Sequence, residues 1–141
     1  MSDEETVPAP PEGFVSMERR GAFSRRNGPF FGRMSEGKVE QAFYALQRHC
    51  NGLGIVHGGM LAAFLDGLLA NAVGRAAGRP GVTIHLSIDY LAMARAGEWV
   101  FGEAQVTRAT GEVAFAEARV HNGRHDVVRG SGVFKLMHKR G

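Results

Sequence analysis

Residues 57–78 read HGGMLAAFLDGLLANAVGRAAG and form the clearest element of the chain. Large apolar residues recur here every three or four positions, which is the spacing of one face of an α-helix. They are Met60, Leu61, Phe64, Leu65, Leu68, Leu69 and Val73. The sequence therefore predicts a long helix that starts just after His57 and is stopped by Gly78 and the Arg79-Pro80 pair.

The other side of this helix carries small residues and a single charge, Asp66. At about 100° per residue the small residues and this acid cluster on one face. They are Gly59, Ala62, Ala63, Asp66, Gly67, Ala70, Gly74 and Ala77. A helix without a charged face is normally buried on all sides. We therefore expect another backbone or a ligand to approach the small residues closely.

The segments around the helix favour β-strands. Turn residues at 28–29 and 36–37 precede a strand that begins at Lys38. Apolar and polar residues alternate over 82–91, and further extended segments cover 99–108, 112–121 and 126–137. Short turns separate these segments and make consecutive strands antiparallel neighbours. We predict an α+β fold in which an antiparallel sheet wraps around one long central helix.

Length and charge divide the chain into a leader and one domain. The 141 residues include 17 Lys and Arg against 14 Asp and Glu, a net charge of +3. Residues 1–18 hold five of the acids and no Lys or Arg, which leaves +8 on the remainder. We predict a mobile acidic, Pro-containing leader at 1–27, a folded domain at 28–138 and a basic tail at 139–141. The length excludes a large multidomain enzyme, and the composition argues against a fibrous repeat and a disordered chain.

Two features bear on location. The single Cys50 permits no internal disulfide, which favours a reducing compartment. No basic stretch followed by an apolar run marks the N-terminus as a secretory signal. The apolar segment 60–73 is shorter than the roughly 20 residues of a membrane span and contains Asp66. We expect a cytoplasmic protein without a membrane partner.

Two positions are candidates for chemistry. A carboxylate on a buried helix must be paired, neutralised or placed at a pocket or subunit boundary, so Asp66 is either catalytic or a structural acid bonded to a strand Ser or Thr. His57-Gly58-Gly59 precedes the helix, where free N–H groups bind anions or polarise a carbonyl oxygen. Ordinary loop-to-helix turn chemistry explains the same three residues equally simply.

Other kinds of site are disfavoured. His121 and His125 flank an Asn-Gly turn rather than sharing a helical face, so we expect no metal. We expect Cys50 to be a buried or strand-end cysteine rather than an activated thiol. The glycines at 52–59 lack the strand and helix context of a Gly-x-Gly-x-x-Gly dinucleotide-binding loop. They also lack the Lys-Ser/Thr pair of a phosphate-binding P-loop. The basic residues are mostly Arg, which suits phosphate, but they lack the interleaved aromatics of a nucleic-acid binder, and we expect no nucleic-acid partner.

The string Asn51-x5-His57-Gly58-Gly59-x6-Asp66, followed by the strand that contains Thr83, resembles the PaaI-type (phenylacetate-degradation thioesterase-like) acyl-CoA thioesterases of the hotdog-fold superfamily. The resemblance covers roughly residues 28–135. It implies the hotdog fold, which agrees with the sheet and helix predicted above.

The resemblance also implies catalytic roles. Asp66 would be the nucleophile or general base at a thioester held by the partner subunit, and the Gly58 N–H would polarise the thioester carbonyl. His57 would support that loop, Asn51 would orient the water or the thioester, and Thr83 would help to place the water. Ala70 stands where the related 4-hydroxybenzoyl-CoA branch has a hydroxyl residue, which disfavours that substrate.

The same resemblance implies a substrate and an assembly. The substrate would be an aryl-acetyl- or medium- to long-chain acyl-CoA, with coenzyme A as part of the substrate and no separate cofactor. Dimers with a continuous sheet would form the active site and pair into homotetramers. The residues implied to contact substrate or coenzyme A are Gly59, Arg95, Arg108, Thr110, Gly111 and Val113. A non-catalytic hotdog protein that binds acyl-CoA is the alternative function.

Overall fold

The computed structural model describes residues 5–17 and 21–138. Its elements, in chain order, are β1 (Val15–Ser16), α1 (Ala22–Asn27), β2 (Phe31–Ser35), β3 (Lys38–Tyr44), a 3-10 turn (Gln47–His49), α2 (Gly58–Ala77), β4 (Gly81–Tyr90), β5 (Trp99–Ala109), β6 (Val113–His121) and β7 (Asp126–Leu136). The strands form a seven-stranded antiparallel sheet in the order β1-β2-β3-β5-β6-β7-β4. The predicted α+β hotdog fold, with one long helix inside a curled sheet, is confirmed.

The core lies between α2 and the concave side of the sheet. Leu65, Leu68 and Leu69 on α2 are fully buried against alternating small and apolar residues of the central strands. A Cβ placed on Gly102 of β5 would overlap Leu68 Cδ1 and lie 3.0 Å from Phe64 Cε2, so glycine lets these two side chains pack directly against the strand. Gly78 ends α2 in the left-handed region at φ 72°, as the sequence predicts.

The small-residue face of α2 is not covered by the chain itself. Ala63, Asp66 and Gly67 are only half-buried, and a Cβ added to Gly67 would meet no atom within 4 Å. The prediction of a helix buried on every side is therefore wrong for the single chain, because the sheet wraps one side and leaves the other open. Among the described residues α2 alone has the length and hydropathy of a possible membrane span, and its large side chains form this core.

The position of β4 also differs from the prediction. Short turns led us to expect β4 beside β5, but β4 pairs with β7 and β5 pairs with β3 and β6. The connection 91–98 crosses the end of the sheet, where Ala94 is fully buried and its carbonyl accepts from Val56 N. Gly97 still makes a turn, at φ 89°, but not a hairpin. As a result β4 is an edge strand of the sheet.

Part of the segment predicted as a leader has regular structure. β1 pairs with β2, Phe14 is buried, and α1 lines a cavity beside α2, so regular structure begins before residue 28. Residues 1–4 of that leader and the predicted basic tail 139–141 lie outside the described residues.

Candidate active site

His57 caps the N-terminus of α2 through its side chain. Its Nδ1 accepts a hydrogen bond from Gly59 N at 2.8 Å, and its carbonyl accepts from Met60 N and Leu61 N. Because Nδ1 is an acceptor, the imidazole proton sits on Nε2. The Gly58 N–H finds no acceptor within residues 5–17 and 21–138, so this donor at the positive end of the helix is free.

Tyr90 fixes the same helix end and was not predicted. Its hydroxyl donates to the Gly58 carbonyl at 2.7 Å, and its ring lies 3.5 Å from a Cβ built on Gly58. Sequence alone offers only its place at the end of the alternating strand 82–91. The contact ties β4 to the point where the free N–H emerges.

Asn51 shapes the loop that leads to His57. Its Oδ1 accepts from Leu53 N at 2.9 Å and from Ile55 N at 3.2 Å, while its own N–H donates to the Ile55 carbonyl. The resemblance implies that Asn51 orients water or thioester. In the single chain its side-chain oxygen is committed to the loop.

Asp66 is hydrogen-bonded to a strand residue. Thr83 Oγ1 donates to Asp66 Oδ1 at 2.6 Å, and both residues are half-buried. In the described part of the chain, Asp66 Oδ2 has no protein donor. The structure thus brings Asp66 and Thr83 together, and it leaves one carboxylate oxygen available to a ligand.

Asp66 lies at the wall of a cavity of about 240 Å³ between α1, β3 and α2. The cavity is lined by Phe23, Ser24, Phe30, Gln41, Ala63, Phe64, Asp66 and Gly67. Sequence reasoning missed α1 as part of the site. It also missed Gln41, although a glutamine between Val39 and Phe43 on the inward side of a strand is a readable signal.

α1 is held against the cavity by two side chains of the 3-10 turn. Arg48 donates to the carbonyls of Arg26 and Gly28, and His49 Nε2 lies 2.7 Å from the Asn27 carbonyl. These bonds satisfy carbonyl groups that the end of a helix leaves unpaired. The C-terminal end of α1 is therefore attached to the 3-10 turn.

Gly58 and Asp66 of one chain cannot act on the same carbonyl group. They are eight residues apart on α2, which separates them by about 12 Å along the helix axis. An attacking group must lie about 3–3.5 Å from the carbon whose oxygen the N–H polarises. If both groups serve one carbonyl group, Gly58 must therefore come from one copy of the chain and Asp66 from another.

The residues implied to contact coenzyme A lie in two places. Arg95 pairs with Ile55 beside the loop before His57. Arg108, Thr110, Gly111 and Val113 lie at the other end of α2, where Arg79 donates to the Gly111 carbonyl and Thr110 Oγ1 accepts from Val113 N. The Gly59 N–H is taken by His57, so this donor is not free for a substrate.

The remaining candidate groups show no reactive arrangement. Burial raises the pKa of the Cys50 thiol, and its Sγ donates to the Leu46 carbonyl. Such a thiol is less reactive than a free cysteine. Within the described ranges, no three His, Cys, Asp or Glu side chains come together as a metal site.

Comparison with known proteins gives a consistent family. A relative from Pseudomonas aeruginosa named "Putative esterase PA0474" is 37% identical over 129 residues, which is 89% of this chain and 96% of that protein. Acyl-coenzyme A thioesterase 13 of Mus musculus is 32% identical over 62% of this chain and 59% of its own length. The E. coli PaaI protein, from the phenylacetic acid degradation operon, superposes with a TM-score of 0.76 over 84% of this chain and 86% of its own, at 22% identity, which shows a common fold. The sequence profile described as "Thioesterase superfamily" matches residues 53–129, and the chain belongs to that superfamily.

Proposed function

We propose that this protein is an acyl-CoA thioesterase, which hydrolyses its substrate to a free acid and coenzyme A at sites shared between two subunits. The observation that carries the proposal is that one helix presents a free N–H at Gly58 and a cavity-lining carboxylate at Asp66. Membership of the thioesterase superfamily supports the reaction class. The name of the mouse relative supports acyl-CoA as the substrate class.

In this proposal the Gly58 N–H binds the thioester oxygen. Attack on the carbonyl carbon places negative charge on that oxygen, and a positioned donor stabilises such charge by about 3 kcal/mol. The dipole of α2 acts in the same direction. His57 keeps the Gly59 N–H occupied, so the free Gly58 N–H is the donor directed at the substrate.

Asp66 from the other subunit supplies the attack. If Asp66 is a general base, its free oxygen takes a proton from water while the water oxygen bonds to the carbonyl carbon. If Asp66 is a nucleophile, its free oxygen bonds to that carbon, and water later hydrolyses the resulting anhydride. In both routes the C–S bond breaks and the coenzyme A thiolate leaves. Thr83 holds the opposite oxygen and so orients the carboxylate.

The edge strand β4 is where we propose that two subunits join. Its exposed apolar side chains include Val82, Ile84 and Tyr90, which are 52%, 60% and 53% exposed. A long, unpaired and apolar edge invites pairing with another strand. Antiparallel pairing of two β4 edges about a twofold axis sets the two α2 helices side by side in opposite directions, so Gly58 of each faces Asp66 of the other. Two such dimers would form the tetramer.

The basic end of α2 suits the phosphates of coenzyme A. Arg79 lies just past Ala77, the last residue of α2, which follows Asp66 by 11 residues or roughly 17 Å along the helix, within reach of an extended pantetheine arm. Arg75 and Arg108 are exposed in the same region. The residues after position 18 carry a net charge of +8, which attracts a polyanionic substrate and speeds its association. Salt weakens this effect.

Three variants test the chemistry on a panel of acyl-CoAs with thiol detection. Gly58→Pro removes the N–H at the first helical position, where proline is well accepted, and His57 already has the extended backbone (φ −58°, ψ 137°) that precedes proline. Gly58→Ala keeps the N–H and brings its Cβ only into ordinary contact with Tyr90. We expect Gly58→Pro to lower kcat about 10²- to 10³-fold, Asp66→Asn to abolish turnover, and Gly58→Ala to remain active.

Equal activity of Gly58→Pro and Gly58→Ala would contradict the role of the N–H. Equal activity of Asp66→Asn and the wild type would contradict the role of the carboxylate. Binding of acyl-CoA without hydrolysis by the wild type would support the non-catalytic alternative.

A further inference from the structure

Gln41 carries an unused hydrogen-bond donor in the interior of the protein. It lies on the helix-facing side of β3 and is 1% exposed. Its Oε1 accepts from Asn71 Nδ2 at 2.9 Å, and Asn71 Oδ1 accepts from Arg75 Nε at 3.1 Å. Because a guanidinium can only donate, Arg75 fixes the orientation of both amides. The Gln41 Nε2 group is therefore the end that remains, and no acceptor for it exists in the described part of the chain.

This donor belongs to the cavity that contains Asp66. Gln41 and Asp66 are both among its lining residues. Most of the remaining wall is apolar, with the rings of Phe30 and Phe64 stacked at a centroid distance of 6.1 Å and Phe23 on the α1 side. The cavity is therefore a mostly apolar space whose polar lining residues are Ser24, Gln41 and Asp66.

Buried amide donors are almost always paired in native proteins. One that is left without a protein acceptor at the wall of a ligand-sized cavity is explained when a ligand supplies the acceptor. The chain Arg75–Asn71–Gln41 maintains this orientation from the protein surface inward, so the donor does not simply turn to pair elsewhere.

We propose that Gln41 determines acyl-group specificity by donating from Nε2 to a hydrogen-bond acceptor on the acyl group. The preferred acyl group is then apolar apart from one acceptor atom. This inference rests on the proposed thioesterase function and names the substrate class of the same site. The cavity volume of about 240 Å³ equals roughly eight water molecules at about 30 Å³ each. Acyl groups the size of phenylacetyl or octanoyl therefore fit it.

The test uses pairs of acyl-CoAs that differ by one acceptor. Phenylacetyl-CoA is compared with 2-, 3- and 4-pyridylacetyl-CoA, because a ring nitrogen accepts without donating and leaves the shape unchanged. Octanoyl-CoA is compared with its 5-, 6- and 7-oxo counterparts for the same reason. We expect the wild type to favour at least one acceptor isomer about tenfold in kcat/KM.

Two variants separate recognition from folding. Gln41→Leu removes the donor at similar volume and should bring the kcat/KM ratio of acceptor isomer to parent substrate to 1 or below. Asn71→Asp changes no residue that lines the cavity. Its carboxylate can only accept, so Gln41 turns its N–H toward position 71 and its oxygen toward the cavity, which should also abolish the preference. If Gln41 only stabilises the fold, the ratio of kcat/KM between acceptor isomer and parent substrate should be the same in both variants as in the wild type.

The same pairs are titrated calorimetrically into Asp66→Asn, where binding is measured without turnover. A wild-type ratio near 1 for every isomer, or a preference that survives in Gln41→Leu and Asn71→Asp, overturns the inference. If hydrolysis fails but the titration shows the Gln41-dependent preference, the proposed reaction is wrong and the recognition by Gln41 stands.

Discussion

Thr83 donates its hydroxyl hydrogen to Asp66 Oδ1 over 2.6 Å, and an irregularity in β4 makes the contact possible. The register of β4 against β7 shifts between Thr83 and His85, so one residue is inserted at Ile84. In a regular strand Thr83 would point to the side opposite Leu86. The bulge places Thr83 on the same, half-buried side as Leu86 and Ile88. A local defect in the strand thus orients the acid of the site.

Removal of the Thr83 hydroxyl should weaken catalysis without unfolding the protein. Thr83→Val keeps the shape but leaves Asp66 Oδ1 without its donor. We expect kcat to fall about tenfold, since a hydrogen bond to a charged group contributes about 1.5–3 kcal/mol and water can replace part of it. Steady-state kinetics measure the change. Thr83→Ser retains the hydroxyl and should stay near the wild type; equal losses in both variants would show that packing, not the hydrogen bond, matters.

Mixed subunits should recover activity that neither parent variant has. Gly58→Pro and Asp66→Asn each inactivate both sites of their own dimer. A mixed dimer combines the intact Gly58 of one chain with the intact Asp66 of the other at one site, so an equal mixture should regain about a quarter of wild-type activity after subunit exchange. Thiol release before and after exchange measures this recovery.

A mixture of wild type with Asp66→Asn is the control for the arithmetic, because its activity should equal the wild-type share both before and after exchange. A mixture of the two variants that stays inactive after proven exchange would place Gly58 and Asp66 in sites that do not combine between subunits.

The fold was predictable because its signals are local and mutually consistent. The helix from residue 58 to 77 and the strand segments after it follow from periodicity and turn residues. The place of β4 was not predictable in this way, because the eight-residue connection 91–98 can either form a hairpin or cross the sheet. In the fold the crossing buries Ala94 and pairs Arg95 with Ile55, and these tertiary contacts cannot be read from local sequence.

The residues of the candidate site that belong to the sequence motif could be predicted, and those that packing brings to the site could not. The sequence identifies His57, Gly58 and Asp66 as chemistry-bearing residues. It does not show that α1 forms the wall of the cavity, since the six residues of α1 have no amphipathic pattern and depend on Arg48 and His49 for their place. Apolar and polar residue types alternate evenly through β4, so they give no signal of the bulge at Ile84, which changes the direction of the side chains.

The small-residue face of α2 can be probed with two glycines. A Cβ at Gly67 or Gly74 meets no atom of the chain within 4 Å. In the single chain, alanine should therefore stabilise α2 at either position by about 0.5–1 kcal/mol. Gly67 lines the cavity and Gly74 does not, so Gly67→Ala should lower kcat/KM while Gly74→Ala leaves it unchanged. Thermal melting measures the stability of both variants, and steady-state kinetics measure their kcat/KM. Equal kcat/KM values for the two variants would show that the cavity does not bind substrate.

The two edges of the sheet should differ in their effect on assembly. Val82 on β4 and Val15 on β1 are both exposed edge residues, at 52% and 67%. Val82→Glu places a charge on the edge proposed to join subunits and should convert dimers to inactive monomers. Val15→Glu serves as the matched control and should preserve both size and activity. Analytical ultracentrifugation gives the masses; a dimer that tolerates Val82→Glu would locate the interface elsewhere.

Acid should destabilise the protein through His49. Its Nδ1 accepts from Leu46 N at 3.0 Å, so the buried ring is neutral and donates from Nε2 to the Asn27 carbonyl. Burial, aided by the charge of Arg48, lowers the His49 pKa below its usual 6.5. The unfolded chain thus takes up a proton near pH 6.5 that the folded chain still refuses, so stability is full above that pH and falls as the pH drops toward the folded pKa.

Urea unfolding at fixed protein concentration between pH 8 and 5 measures this loss. His49→Gln carries no titrating group there and should show a shallower decline below pH 6.5, at some cost in stability at pH 8. Burial also lowers the pKa of His121, so His121→Gln is needed as the control and should retain the part of the decline that belongs to His49. A His49→Gln profile parallel to the wild type would mean that α1 and the 3-10 turn do not depend on the neutral ring.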